Sequence, residues 1–127
     1  MRLSLQILAK LSPADLRDVK EYELHVAVNE YARSCGWKVV YFTRSAAKGA
    51  DGTWRGLAPK GWCDSFMAHP VQRRLLAAEM KSETGRVRPE QQEWLDVLAA
   101  AGAETAIWRP RDAAAIIARL ERNGGRE

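Results

Sequence analysis

The chain has 127 residues, enough for one domain with its own core and too few for a multi-domain enzyme, a propeller or a large barrel. Hydrophobic residues at 46% and charged residues at 28% make a globular composition and exclude a disordered chain. The net charge of +4 is unevenly placed: residues 41–88 carry nine basic and four acidic groups, while the last 39 residues are net acidic. A basic middle suits an anionic partner, nucleic acid foremost, or else a merely solvated basic surface.

Residues 1–18 read as an N-terminal extension. Their apolar run is broken by Lys10, Pro13 and Asp15, so it is neither a signal peptide nor a membrane span. Ser12 followed by Pro13 is a helix start, with Ser12 as N-cap. The main helix spans about 19–35, where Leu24, Val28, Tyr31 and Cys35 recur at three- and four-residue steps and Gly36 ends the run. Trp37 to Thr43 is a strand by its β-branched and aromatic content. A long loop over 44–61 follows, carrying Arg44, Lys48, Arg55 and Lys60 among four glycines. Trp54 and Trp62 interleave with those cations, a mix that suits phosphate contact plus base stacking. As core residues they would do neither.

Asp64 to Ala68 and Leu75 to Lys81 read as a hairpin about a turn at 69–74. Pro89 opens a helix that Gly102 ends, with Trp94, Leu95 and Leu98 on one face. A strand over Glu104–Trp108 and a helix over Arg111–Arg122 complete the order α-β-β-β-α-β-α, and 123–127 is a frayed tail. This order predicts a single α/β domain in which helices flank a small mixed β-sheet.

The two cysteines, Cys35 and Cys63, make no disulfide framework and suit a reducing compartment. With His25 and His69 they match no zinc spacing. The spacing that suggests chemistry is Asp64 with Glu79 and Lys81. Residues two apart on a strand share a face, so Glu79 and Lys81 project together while Met80 points away. A hairpin that brings Asp64 beside them gathers two carboxylates and an ammonium. Two carboxylates and a main-chain carbonyl suit Mg²⁺ or Mn²⁺. An isolated Glu-x-Lys triplet is otherwise an ordinary strand end.

The ordered set Gly61-Trp62-Cys63-Asp64, Glu79-Met80-Lys81, Gly85 through Leu95, and Trp108-Arg109-Pro110 resembles the VRR-NUC family of the PD-(D/E)XK nuclease superfamily. The resemblance runs from about Glu21 to Ile117. It implies a restriction-endonuclease-like fold, metal-dependent hydrolysis of DNA phosphodiesters, and action on branched or flapped DNA, a Holliday junction included. By position it implies Asp64, Glu79 and the Met80 carbonyl as metal ligands, Glu23 on the first helix as a further one with Glu21 a weaker candidate, Lys81 as the catalytic lysine, and Gln91 at the scissile phosphate or a metal-bound water. Cys63 stands where the family has proline, which alters the strand entry and supplies no ligand. His25 reads as structural, being nearly opposite Glu23 on the helix.

The expected partners are therefore DNA, bound through Arg44, Lys48, Arg55, Lys60, Arg73, Arg74, Arg86 and Arg88, and a second copy of the chain, with no membrane. The expected setting is the cytoplasm of a bacterium or a phage-infected cell. Two alternatives remain open at this point: a non-catalytic nucleic-acid-binding module on the same fold, and a sequence-specific nuclease of restriction type.

Overall fold

The computed structural model describes residues 2–41, 46–48, 54–56 and 58–122, the two three-residue segments through their backbone. Short helices α1 (Leu5–Leu8) and α2 (Pro13–Arg17) lead into α3 (Glu21–Ser34). Strands β1 (Lys38–Tyr41), β2 (Ala46–Lys48), β3 (Trp54–Gly56), β4 (Ser65–His69) and β5 (Arg74–Met80) follow. Helix α4 (Pro89–Ala100), strand β6 (Glu104–Trp108), a 3-10 turn (Pro110–Asp112) and α5 (Ala113–Glu121) complete the chain order.

Ser12 caps α2 by accepting from the Asp15 backbone N–H, and Pro13 takes the first turn as expected. Gly36 adopts φ +96° and ends α3. A side chain there would also strike His69, whose Nε2 would lie 2.8 Å from the added Cβ. Pro89 opens α4, and the Gln91 side chain accepts from the Arg88 backbone N–H at 2.8 Å.

The main sheet has the order β1-β4-β5-β6. β1, β4 and β5 are antiparallel, and β6 joins β5 in parallel through the α4 crossover, so the sheet is mixed as anticipated. One face of β5 sends Leu76, Ala78 and Met80 into the main core beneath α3 and α5. The other face sends Ala77 against Cys63 and Leu95 of α4.

Two regions differ from the sequence reading. The expected loop over 44–61 contains an antiparallel pair, β2 with β3, in which Ala46 faces Gly56 and Lys48 faces Trp54. Three-residue strands of Ala, Lys, Arg and Gly are too short and too poor in β-branched residues to show a period. The segment read as an N-terminal extension supplies Leu5 and Leu8, fully buried against the main core, and α1 packs on α5 and α3. The final helix starts at Ala113 because Asp112 closes a 3-10 turn by accepting from the Arg109 backbone N–H. Among the described residues no helix is long and apolar enough to cross a membrane.

Candidate active site

The β4–β5 register pairs Ser65 with Ala78, and one step further sets Asp64 opposite Glu79. Asp64 Oδ2 accepts from the Met80 backbone N–H at 2.7 Å, which pins the carboxylate across the mouth of the hairpin. Strand alternation sends Met80 into the main core and leaves Glu79 and Lys81 on the other face, both nearly inaccessible to solvent. Lys81 Nζ lies 3.7 Å from Glu79 Oε2.

Gln91, buried on the first turn of α4, donates from Nε2 to Glu79 Oε2 at 2.7 Å. Its Oε1 is already occupied by the Arg88 N–H. Both ends of Gln91 are therefore spent inside the protein, and it acts as a strut that holds Glu79. The other Glu79 oxygen, Oε1, is buried with no hydrogen-bond donor. A buried acceptor without a donor is costly unless something absent from the chain satisfies it.

Electrostatics agree with that vacancy of donors. The Glu79 carboxyl is pushed up to about 8, first by burial, then by the charge of Asp64 and a side-chain hydrogen bond shared with it, with Lys81 pulling the other way and Glu21 adding to the rise. Burial raises the Cys63 thiol to about 12, with help from Glu79 and Asp64, so the thiol beside the site is inert. A divalent cation answers all three features at once: it gives Glu79 Oε1 a partner, offsets two facing carboxylates and favours their ionised forms. The donor set is hard oxygen and so fits Mg²⁺ or Mn²⁺. Among the described residues no three Asp, Glu, His or Cys side chains cluster as a metal cage. Asp64, Glu79 and a main-chain oxygen would be the protein side of such a site.

The helix residue is not where the sequence reading put it. Glu23 Oε1 accepts from the Lys20 backbone N–H at 2.8 Å and so caps α3. Glu21 is the acidic residue whose charge is felt at both Glu79 and His25. The helical period explains the exchange. Seven residues make two turns, so Glu21 shares the direction of buried Val28, while Glu23 lies about 140° away. The spacing of Glu21 from Val28 was the signal available in the sequence.

His25, read as structural, also faces this side. Its Nε2 lies 2.8 Å from Ser65 Oγ, and Ser65 Oγ donates to Asn29 Oδ1 at 2.8 Å. Burial holds His25 below its ordinary pKa, against the raising effects of Asp64 and Glu21. Ser65 and Asn29 were not singled out from sequence; a buried Asn one turn beyond a His on the same helix face was the only hint.

The basic candidates divide. Arg86 and Arg88 are exposed on the segment between Lys81 and α4, and exposed Lys60 reaches Glu90 Oε2 at 3.7 Å from the other side, as Arg88 does. Arg74 is a correction. It is buried and donates to Glu104 twice at 2.7 Å, to Gln72 and to the carbonyls of Arg119 and Arg122, with its guanidinium 4.9 Å from the Trp37 ring centre. The buried guanidinium is committed to these partners and is not presented to a phosphate. Arg73 is exposed at the hairpin tip, at the opposite end of β5 from Glu79, roughly 16–20 Å along the strand. Arg44 lies outside the described residues; Lys48 and Arg55 fall on β2 and β3. Trp62 packs on Phe66 and Trp94 as part of the second core cluster rather than as a stacking platform. Trp54 lies on β3.

A mixed four-stranded sheet flanked by helices, with Asp64, Glu79 and Lys81 at the open end of its central hairpin, is consistent with the restriction-endonuclease-like fold. Residues 56–112 match the family model of the VRR-NUC domain. That domain implies nuclease-type activity on DNA, and VRR-NUC nucleases generally depend on divalent metals. No curated protein and no solved structure matches the chain.

Proposed function

We propose that this protein is a Mg²⁺- or Mn²⁺-dependent endonuclease that hydrolyses DNA phosphodiester bonds and selects branched or flapped DNA, acting as a homodimer. The observation that carries the reading is Glu79 Oε1, a buried carboxylate oxygen without a donor, set opposite Asp64 and beside Lys81. Asp64, Glu79 and the Met80 carbonyl would hold the ion. When bound, it supplies Lewis-acid stabilisation of charge on the phosphodiester and makes water more acidic.

The chain's own residues do the remaining work. Gln91 keeps the Glu79 carboxylate in one orientation, with one oxygen tied and the other aimed at the site. Among the described residues Lys81 has one ion pair, to Glu79, so its remaining donors can orient the attacking water and offset charge building on the phosphate. The water oxygen bonds to phosphorus as the bond to the leaving oxygen breaks. Lys60, Arg86 and Arg88 rim the opening and bind flanking phosphates without reading sequence. A four-way junction has near two-fold symmetry, which two copies of one site match.

The test is cleavage of labelled single strand, duplex, 5′ flap, splayed arm and four-way junction, with Mg²⁺, with Mn²⁺ and with chelator. Metal-dependent cutting of a branched substrate, lost in Lys81→Ala, is the expected result. Salt-sensitive binding without any product would instead favour the non-catalytic module. Defined cut sites on long duplex would favour a restriction-type enzyme.

A further inference from the structure

Beside the carboxylates, on the outer face of α3, lies an open groove of about 340 Å³. That is the low end of the range for small-molecule sites, roughly 300–1,000 Å³. Tyr22 and Val26 of α3 and Tyr41 of β1 line it, with Arg2 and Arg33 at its margins. Its inner end is His25, which is bonded to Ser65, the residue that follows Asp64. The groove therefore opens next to the strand that carries the first carboxylate.

The two tyrosines are far more exposed than packing would leave them. Tyr22 is 64% exposed and Tyr41 52%. Tyr41 is nonetheless braced: His25 meets it edge-on with ring centres 5.8 Å apart, and the Arg33 guanidinium lies 5.7 Å from its centre. Arg2 is neutralised by Glu30 at 2.7 Å. Arg33 is different, since it lines the groove with its guanidinium over the Tyr41 ring. A braced aromatic ring, a second exposed ring and a cation beside them are the parts of a single-strand nucleotide site, in which bases stack on aromatics and a cation takes the phosphate.

We infer that this groove holds one unpaired nucleotide of the DNA substrate, its base stacked on Tyr22 or Tyr41 and its phosphate against Arg33. The inference rests on the nuclease reading above and deepens it by giving branch selection a place on the molecule. A paired base can enter only after leaving its stack, whereas the unpaired base at a flap or branch enters without that cost. Stacking is indifferent to base identity, so the site selects structure and not sequence.

The test is equilibrium binding, by fluorescence anisotropy in Ca²⁺, of a flap DNA and of the same DNA with abasic residues at the unpaired positions beside the branch. The wild-type protein is expected to bind the intact flap about tenfold more tightly than the abasic one. Tyr22→Ala with Tyr41→Ala should bind both at the abasic level, while Tyr22→Phe with Tyr41→Phe should keep the preference. Arg33→Gln should lower the slope of log affinity against log salt by about one. Equal binding of the two DNAs by wild type, or a preference that survives the alanine pair, overturns the inference and leaves the nuclease reading standing. Failure to bind or cut any DNA overturns both. Because both tyrosines are largely exposed, circular dichroism of the variants should match wild type.

Discussion

Replacing Glu79 by glutamine should make the metal-free protein more stable at alkaline pH while abolishing cleavage. The substitution keeps the shape of a buried side chain and removes its ionisation. In the protein the carboxyl is pushed up to about 8 from 4.5, chiefly by burial and then by Asp64. The folded state therefore holds this proton more tightly than the unfolded chain does. The associated stability is fully present below pH 4.5 and is lost as pH rises towards 8. The rise from 4.5 to 8, at about 1.36 kcal/mol per unit, sets a ceiling on the order of 5 kcal/mol. Between pH 5 and pH 8 the loss is on the order of 3 kcal/mol. A glutamine has no such slope, because its amide oxygen can still accept from Gln91 and its nitrogen can donate to Asp64. Urea unfolding of both proteins in EDTA at pH 5, 6, 7 and 8 measures this directly, since subtraction cancels every other titrating group. Glu79→Gln should gain about 3 kcal/mol on wild type across that interval. A stability difference that does not change with pH would refute the reasoning, for Glu79 would then ionise as freely in the fold as outside it.

Gln91→Ala removes the donor to Glu79 Oε2 and the cap on the Arg88 N–H; it should cost about 2 kcal/mol in denaturation and lower the single-turnover cleavage rate more than DNA affinity. Arg74→Ala should cost roughly 3 kcal/mol, because a buried guanidinium shared by Glu104, two carbonyls and the Trp37 ring is lost, while DNA affinity in an anisotropy titration stays at the wild-type value. Gly61→Ala should be destabilising by about 2 kcal/mol or more: its φ is +85°, and the added Cβ would lie 2.6 Å from the Glu90 carbonyl oxygen. Leu8→Ala should cost about 2–5 kcal/mol in urea unfolding, as a residue outside the core would not.

Local signals made much of this fold legible. Ser12-Pro13, Gly36 and Pro89 mark helix ends through caps and fixed torsions that need no tertiary context, and the structure keeps each one. The hairpin and the mixed sheet followed from period and turn residues. What local pattern could not convey was the partner of each charge. Arg73 and Arg74 look alike in sequence, yet Arg74 opens β5 buried beside Glu104, thirty residues away, while Arg73 sits in the turn with φ +58° and stays in solvent. The resemblance favours Glu23 over Glu21 until the helix period is laid against the buried face. Glu23 then serves a backbone N–H, and Glu21 is the acid sensed at Glu79. The burial of Leu5 and Leu8 depends on α5, more than a hundred residues on, and no window along the chain contains both.

That meeting of α1 with α5 bears on how the protein is made. The hairpin that carries Asp64 and Glu79 is local and can pair as soon as it is synthesised, but the cover over its inner face includes Ile116 and Leu120. At about 5–20 residues per second, the stretch from Glu79 to Ile116 takes roughly 2–7 seconds to translate. Contacts of such long sequence separation are the slow ones in folding. Throughout that interval α1 and α3 can cover Leu76 and Met80 only in part, and the apolar surface destined for α5 stays open to solvent or to a chaperone. Asp64 and Glu79 are thus in register before the barrier against aggregation is complete, and chaperone supply during synthesis should govern yield of the folded protein more than the strength of the hairpin does.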